Sequence, residues 1–313
     1  MNINRIEFMV TYQCSGQCKH CSVGDKLNHS SGMKHVCANR AAEVIEELSQ
    51  MFSISSVMTF GGEPLLYADA VCTIHEAANR CGIGKRQLIT NGYFTKDNER
   101  RMQVAKSLEK AGVNNLLLSV DAFHQETIPV EAVYCFARDA CKAKIPNIKL
   151  HPAWVVDCTH DNPFNKRTME ILALFADLKI PVSDGNNIIM AGNAVEHLTQ
   201  FYDEPHLDFS DSCGSMPYTE PLTRITSLSI VPNGDVMICN FVIGNIHAQS
   251  MQEIVTQYDP YQNEWMNALL TGGASALLDQ AKQQGIPVDC SQCYSICDFC
   301  HKINNRLLSN SHR

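Results

Sequence analysis

Three cysteines near the start of the chain have the spacing of a metal-binding loop. Cys14, Cys18 and Cys21 form a C-x3-C-x2-C run, which places three thiolates on one short loop. On a four-iron cluster, three thiolates leave one iron without a protein ligand, and that iron can bind a small chelating cosubstrate. The sequence therefore predicts a cluster that takes part in chemistry. Two other interpretations stay open: zinc with a remote fourth ligand, or reduced cysteines that bind nothing.

Composition limits the core size, the partners and the cellular compartment expected for this chain. The chain has 313 residues, 45% of them hydrophobic, enough for one large core and a small second one. Its net charge is -8 and it lacks a dense Lys/Arg block, so no nucleic-acid partner is expected. We find no leader peptide and no apolar run near ~20 residues, and therefore expect a cytoplasmic protein with no membrane partner. In that reducing compartment, 15 cysteines are better explained by metal sites than by disulfides.

The elements that position the triplet alternate between strands and helices. Short apolar runs predict strands at residues 3–12, 55–60, 85–90, 115–120, 149–156 and 188–190. Amphipathic stretches predict helices at residues 40–51, 68–80, 96–111, 130–143 and 165–178. Repeated βα units form a parallel sheet covered by helices. We therefore predict an α/β fold, a partial (β/α)6 TIM-like barrel over residues 1–200.

Polar residues follow each of the first four predicted strands. The cysteine triplet follows the first, Gly61-Gly62-Glu63-Pro64 the second and Asn91 the third, whereas Ser119 and Asp121 stand at the end of the fourth. The carboxyl ends of parallel barrel strands meet at one mouth. We therefore expect these residues to share one site.

Residues 201–313 predict a small Cys-rich module built from a hairpin and helices. Asn233-Gly234 between two alternating runs predicts a hairpin with a type I′ turn, and helices are predicted at residues 250–258 and 263–284. The module carries six cysteines: Cys213, Cys239, Cys290, Cys293, Cys297 and Cys300. Six thiolates are enough for one closed four-iron cluster but too few for two. The sequence leaves open which four would belong together, and zinc is the alternative for the two C-x2-C pairs.

The triplet and the glycine-rich run, in this order, resemble the radical S-adenosylmethionine (SAM) superfamily. The resemblance covers about the first 200 residues and implies a [4Fe-4S] cluster on Cys14, Cys18 and Cys21. It implies that SAM binds the open iron and yields a 5′-deoxyadenosyl radical that abstracts hydrogen from a substrate. It also implies that Gly61, Gly62, Glu63 and Pro64 receive the methionine amino group.

The same resemblance suggests the remaining contacts to SAM. Ser119 and Asp121 would hydrogen-bond the ribose hydroxyls, although Asp121 could instead cap a turn. Asn91 is a further candidate, although Asn-Gly is also ordinary turn chemistry. His20, just before the third cysteine, would lie near the adenine, and Met190 is a second candidate adenine contact.

The tail resembles the SPASM and twitch extensions of radical SAM enzymes. Asn233-Gly234, Cys239 and the closely spaced cysteines that follow carry this resemblance. It implies at least one auxiliary [4Fe-4S] cluster in the C-terminal module. The tail differs from the usual SPASM pattern because no cysteine follows its last C-x2-C pair.

Two residues outside these motifs are candidates for substrate chemistry. His124 lies in a loop expected to overhang the barrel mouth, where it would contact substrate or simply close the loop. Cys158 would lie just beyond the fifth strand, where a thiol could return a hydrogen atom to a substrate radical, unless it is an idle cysteine.

By analogy with the SPASM-like class, the leading hypothesis is an oxidoreductase or isomerase that modifies a ribosomally made peptide. Such a maturase would epimerise, crosslink or oxidise its substrate and would need an electron donor such as flavodoxin or ferredoxin. A twitch-type dehydrogenase of a small metabolite is the alternative within the superfamily. From another class, the chain could be an iron-sulfur or zinc-binding electron carrier, although a carrier has no use for a cosubstrate pocket.

Overall fold

A computed structural model describes residues 1–24, 33–209, 211–216 and 219–311 of the chain. The strands are β1 (Arg5–Met9), β2 (Ser56–Phe60), β3 (Lys85–Thr90), β4 (Asn115–Ser119), β5 (Ile148–His151), β6 (Ala153–Trp154), β7 (Asn186–Asn187), β8 (Ser227–Ile230), β9 (Asp235–Ile238) and β10 (Phe241–Asn245). The α-helices are α1 (Ala38–Met51), α2 (Ala68–Arg80), α3 (Asn98–Lys110), α4 (Val130–Lys142), α5 (Pro163–Ala173), α6 (Asn193–His197), α7 (Met251–Gln257), α8 (Glu264–Gln283) and α9 (Ile296–Ser311).

One eight-stranded sheet organises the molecule, in the order β10-β9-β8-β1-β2-β3-β4-β5. Strands β1 to β5 pair in parallel, as the alternating βα pattern predicts, and the first four predicted strands are confirmed. Strand β8 also pairs in parallel with β1, so the hairpin of the Cys-rich module continues the sheet of the barrel. A boundary near residue 200 stays a prediction.

The sheet buries one face against helices and turns the other toward the barrel interior. Ile6, Phe8, Val57 and Leu88 lie in the main core with the apolar stripes of the helices, such as that of α1. The residues between them on each strand point to the opposite, concave face because side chains alternate along a strand. This alternation decides which polar side chains reach the interior.

The fifth and sixth strands differ from the prediction. Pro152 separates β5 from β6, since proline has no N–H to donate to the ladder. The sixth strand, predicted at residues 188–190, is the short β7 at Asn186–Asn187, which pairs in parallel with β6 outside the main sheet. The pairing with β6 continues one residue beyond β7, because the Ile188 N–H donates to the Trp154 carbonyl over 2.9 Å.

The hairpin between β8 and β9 is confirmed, but its turn is different from the predicted one. A type I′ turn needs positive φ at both central residues. Here Gly234 has a φ of 88°, whereas Asn233 is not among the residues with positive φ. The Gly234 N–H donates to the Val231 carbonyl over 2.9 Å, and Pro232 occupies the second position of that turn, where proline is favoured.

Two further points concern the helices. The helix predicted at residues 263–284 is broken within α8, where Gly273 has a φ of 62° and a ψ of -150°. In the part of the chain that the structure describes, no helix has the length and apolar character needed to cross a membrane.

Candidate active site and auxiliary metal site

A cavity of about 360 Å³ lies at the carboxyl ends of the barrel strands. Its walls bring together candidates from separate parts of the sequence: Cys14, Cys18, His20, Cys21, Gly61, Gly62, Asn91, Ser119, Asp121 and His124. Their strands run parallel, so each strand ends at the same mouth.

The two glycines of the glycine-rich run hold the segment that precedes Cys14. The Gly62 N–H donates to the Thr11 carbonyl over 2.8 Å, and the Glu63 N–H donates to the Gln13 carbonyl over 2.7 Å. A Cβ atom on Gly62 would lie only 2.2 Å from the Gln13 oxygen, and Gly61 has a φ of 142°. Glycine is therefore required here for the close approach of two backbones, as well as for a wall of the cavity.

Glu63 lies behind the cavity rather than in its lining. Its carboxylate is fully buried and accepts hydrogen bonds from the Thr90 hydroxyl (2.7 Å) and from the backbone N–H groups of Asn91 (2.8 Å) and Leu65 (2.9 Å). Burial raises the pKa of this carboxyl to about 7. Pro64 begins a short 3-10 helix behind it. The structure thus gives Glu63 a role in joining the ends of β2 and β3.

Asn91 holds the first cysteine in place. Its Nδ2 lies 3.5 Å from the Cys14 Sγ and 3.2 Å from the Ser15 hydroxyl. The Gly16 N–H also donates to the Cys14 Sγ over 3.3 Å. Hydrogen bonds to a thiolate sulfur orient a metal ligand and favour its charged form.

The triplet has the chemistry of a metal-binding site. Burial raises the pKa of the Cys14 thiol to about 11 and also raises the pKa values of Cys18 and Cys21. Backbone N–H groups of Val23 and Gly24 donate to the Cys21 sulfur. Three thiols in one cavity, two of them with N–H donors, fit a metal cluster, which would displace their protons and compensate the buried charge.

Asp121 caps the turn after β4 and binds His124. Its carboxylate is fully buried, accepts the N–H groups of Phe123 (3.0 Å) and Ala153 (3.1 Å), and lies 2.7 Å from the His124 Nδ1. Burial acts to raise the pKa of Asp121, but the nearby His124 lowers it to about 2. Burial acts to lower the pKa of His124, but the neighbouring Asp121 carboxylate outweighs burial and raises that pKa.

Two histidines stand beside the cysteine loop in this cavity. The Cys18 Sγ and ring nitrogens of His20 and His124 lie within 4.8 Å of one another. Among the residues that the structure describes, the buried His20 Nδ1 has no hydrogen-bond partner, and burial lowers the pKa of His20 to about 4. His20 therefore lines the cavity as a neutral ring.

Other candidates lie at the edge of the site or outside it. Ser119 lines the cavity opposite His151, its register partner on β5. Met190 is buried in a small apolar cluster with Cys18 and does not line the cavity. Cys158 is exposed in the loop after β6 and does not line it either.

Sequence reasoning missed Asn193 and the segment that supports the cysteine loop from the far side. The Asn193 Nδ2 donates to the Cys18 carbonyl over 3.1 Å, and its backbone N–H donates to the Cys21 carbonyl over 3.0 Å. A Cβ on Gly192, which has a φ of 56°, would lie 2.5 Å from the Cys21 oxygen. The Gly-Asn pair after the last barrel strand was the available signal.

Four of the six tail cysteines lie together. Cys213, Cys239, Cys297 and Cys300, called here the tail quartet, are near enough to interact electrostatically: the charge of Cys213 opposes ionisation of Cys239, and both oppose ionisation of Cys297 and Cys300. Burial, followed by these neighbours, raises the pKa values of Cys239 and Cys297 to about 11 and also raises that of Cys300. Backbone N–H groups of Leu222 and Glu220 donate to the Cys213 and Cys239 sulfurs.

Three distant segments build the quartet. Cys239 has a φ of 51° and follows β9 at the end where β1 and β8 begin, so the quartet lies at the opposite end of the barrel from the cavity. Cys297 and Cys300 are three residues apart on α9 and therefore share one face of that helix.

Cys290 and Cys293 form a separate pair. The Cys293 N–H donates to the Cys290 carbonyl over 3.1 Å, and the Lys302 Nζ lies 3.8 Å from the Cys293 Sγ. The thiols that influence the pKa values of the quartet do not include either member of this pair.

A partial parallel barrel with a three-cysteine loop at its mouth and a second cysteine site at its other end defines a class of iron-sulfur enzyme. Residues 8–203, more than half of the chain, match the model of the Radical SAM superfamily, and residues 223–294 match an iron-sulfur cluster-binding domain, SPASM. The chain belongs to the radical SAM superfamily. Membership implies SAM, a [4Fe-4S] cluster and auxiliary iron-sulfur clusters.

Individual relatives match only part of the chain. GTP 3',8-cyclase of Lactiplantibacillus plantarum is 28% identical over 118 residues, which is 38% of this chain and 33% of that enzyme. The probable GTP 3',8-cyclase of Methanocaldococcus jannaschii is 28% identical over 124 residues, 40% of this chain and 38% of that protein. The matched region thus spans about a third of these relatives.

A solved structure supports the fold along almost the whole chain. The structure of native anSMEcpe with bound AdoMet covers 98% of this chain and 99% of its own, with a TM-score of 0.51 and 14% sequence identity. At that identity the likeness concerns the fold alone.

Proposed function

We propose that this protein is a radical SAM enzyme that cleaves SAM reductively and uses the resulting radical to abstract hydrogen from a peptide. One observation carries the first part: a single cavity gathers the cysteine triplet, the two glycines, Ser119 and Asp121. A plain electron carrier would not need a cavity of about 360 Å³ beside its cluster.

Different residues of the cavity would bind the cluster and SAM. When bound, the cluster and SAM supply the electron and the 5′-deoxyadenosyl radical. Cys14, Cys18 and Cys21 would hold the cluster, and Asn91 would orient Cys14 through its contact of 3.5 Å. Gly61 and Gly62 would present backbone to the methionine end of SAM, and Ser119 would face the ribose.

His20 and His124 would complete the contacts to cosubstrate and substrate. His20 would contact the adenine ring, since its own ring is neutral and lines the cavity. His124 is held by Asp121 through its Nδ1, so its Nε2 is the nitrogen left to meet the substrate.

The tail quartet would hold an auxiliary [4Fe-4S] cluster. Four thiols are the full ligand set of a closed cluster, and the two backbone N–H donors to Cys213 and Cys239 suit thiolate sulfurs. In a maturase that oxidises or crosslinks, such a cluster would accept the electron left on the substrate. The first electron would come from a donor such as flavodoxin or ferredoxin.

The peptide hypothesis is supported by a second cavity next to the first. A groove of about 460 Å³ runs along the loop after β4 and is lined by residues that include Gln125, Glu126, Pro129 and Phe164. Phe123 lies between the two cavities, 5.0 Å from the His20 ring and 4.5 Å from the Phe164 ring, measured between centroids. An extended substrate would occupy this groove while one residue reached the catalytic cavity.

SAM cleavage tests the first part of the proposal. Anaerobically reconstituted protein with a reductant should form 5′-deoxyadenosine and methionine. A variant with Cys14, Cys18 and Cys21 all changed to alanine should form none, whereas Cys37→Ala, which changes a cysteine outside both sites, should behave as the wild type. Undiminished cleavage by the triple variant would refute the assignment.

Substrate stimulation tests the second part. A short peptide encoded beside this gene should increase 5′-deoxyadenosine formation and leave with a changed mass or stereocentre. In deuterated water an epimerase should add one deuteron per altered residue, whereas an oxidising or crosslinking maturase should give a product two mass units lighter. Because the matched relatives are named for a reaction of GTP, small metabolites are the comparison arm. Stimulation by a metabolite alone would contradict the peptide hypothesis and favour the dehydrogenase.

A further inference from the structure

One titratable side chain of the catalytic cavity is not needed to hold the cluster or SAM. His151 is the last residue of β5 and lines the cavity. Leu150, the residue before it, lies in the main core against the helices, and side chains alternate along a strand. His151 therefore projects from the concave face of the sheet. Its register partner there is Ser119, at the end of β4.

The ring of His151 is held from behind by Ser183. The His151 Nδ1 lies 2.7 Å from the Ser183 Oγ. The Ser183 hydroxyl donates its hydrogen to the Leu150 carbonyl over 3.1 Å, so its oxygen is left to accept the Nδ1–H. In this arrangement the His151 Nε2 carries a lone pair. Ser183 is itself fixed, because its backbone N–H donates to the Leu150 carbonyl over 2.9 Å.

The second ring nitrogen of His151 is available to a molecule in the cavity. Within the described parts of the chain, the His151 Nε2 has no hydrogen-bond partner, and it is not among the buried unpaired polar atoms. Burial lowers the pKa of the ring, Asp121 acts to raise it and His124 acts to lower it further. The ring is therefore neutral at pH 7, and its Nε2 can accept a proton.

The cavity offers a proton acceptor but no second hydrogen-atom donor. An epimerase needs a thiol that returns a hydrogen atom to the substrate radical. The cysteines that line the described cavity are Cys14, Cys18 and Cys21, which would hold the cluster, whereas Cys158 is exposed outside it. An oxidation needs no such thiol, but it does release a proton. A neutral histidine in the cavity suits that reaction.

We propose that His151 is a catalytic residue that accepts a proton from the substrate through its Nε2, and that the reaction is an oxidation rather than an epimerisation. A hydrogen atom leaves a substrate C–H bond and forms 5′-deoxyadenosine. The neighbouring O–H, N–H or S–H group then gives its proton to His151, one electron passes to an iron-sulfur cluster, and a carbon–heteroatom double bond forms. This inference rests on the proposed function for the radical, but applies equally to a peptide and to a metabolite.

Chemical labelling tests the position of His151 without a substrate. Cluster-loaded protein without reductant is treated anaerobically with diethyl pyrocarbonate, which acylates unprotonated imidazole nitrogens, in the presence and absence of SAM. Peptide mass spectrometry should find His151 labelled in both samples, because its Nε2 must stay open to the substrate. Exposed His160 is the positive control, and fully buried His75 is the negative control. Absence of the label, or protection by SAM alone, would overturn the proposal.

Turnover tests the proton transfer itself. It is measured with the neighbouring peptide or, if that peptide does not stimulate, with the metabolite that does. His151→Gln keeps a polar side chain but cannot accept the proton, and should lower product formation at least about 100-fold. The amount of 5′-deoxyadenosine formed per product should rise, because hydrogen abstraction does not need the base. His160→Gln, which changes an exposed histidine outside the cavity, should behave as the wild type.

The outcomes separate this inference from the proposed function. If no peptide or metabolite stimulates 5′-deoxyadenosine formation, the proposed function fails and the proton transfer fails with it. If a substrate is turned over but His151→Gln forms product as fast as the wild type, only the role of His151 is overturned. An epimerised product would likewise contradict the inference while leaving the radical SAM assignment intact.

Discussion

The tail quartet gives the most direct prediction, which concerns the loss of one cysteine ligand at a time. Three thiols at the barrel mouth and four in the quartet suit two four-iron clusters, so fully loaded wild-type protein should contain about eight irons per chain. The triple alanine variant of Cys14, Cys18 and Cys21 should keep about four, all in the tail. Changing Cys213 to serine in that background should bring the iron content close to zero, because a closed cluster needs all four of its thiolates.

The matched control is Cys290→Ser in the same triple background. Cys290 is near Cys293 and outside the group of thiols that affect one another in the quartet, so this variant should keep about four irons. Iron and sulfide are measured chemically after anaerobic reconstitution, together with the electron paramagnetic resonance signal of the reduced protein. The assignment of an iron-sulfur cluster to the tail quartet is refuted if Cys290→Ser loses iron while Cys213→Ser keeps it, or if the tail holds zinc.

Three further predictions concern positioning and stability. Asn91→Leu removes the amide contact to Cys14 and should lower SAM cleavage by about 10- to 100-fold while iron content is retained; loss of all iron would contradict a positioning role. His75 is fully buried, and burial lowers its pKa to about 3. Between about pH 6.5 and pH 3 the unfolded chain therefore binds a proton at His75 that the folded chain does not, and the free energy of unfolding should fall by about 2 kcal/mol between pH 6.5 and 5. In urea unfolding, the stability of His75→Gln should depend less on pH over this range. Arg101 and Asp139 are 9% and 4% exposed and 2.7 Å apart, so Asp139→Ala should cost about 3–5 kcal/mol. Glu170→Ala, which breaks an exposed pair, should cost less than about 1 kcal/mol in the same unfolding experiment.

Local sequence was sufficient for much of the catalytic site. The C-x3-C-x2-C spacing fixes three thiols on one loop, and the βα repeat predicts that loops after parallel strands converge, which the cavity shows. Local sequence did not predict that Glu63 would be enclosed by three hydrogen bonds, because two of the donors, at Thr90 and Asn91, lie at the end of another strand. A motif residue can belong to the frame of a site rather than to its lining, as Glu63 does, and only the tertiary structure distinguishes the two.

Residue types and spacing by themselves determined the class of chemistry, the parallel barrel and the presence of a second cysteine site, because each depends on short-range pattern. Tertiary structure alone decided that Cys213, Cys239 and Cys297 act on the ionisation of Cys300, whereas Cys290 acts on that of Cys293. The physical reason is that strand pairing and helix docking bring these residues together across long stretches of chain, and no local pattern carries that information.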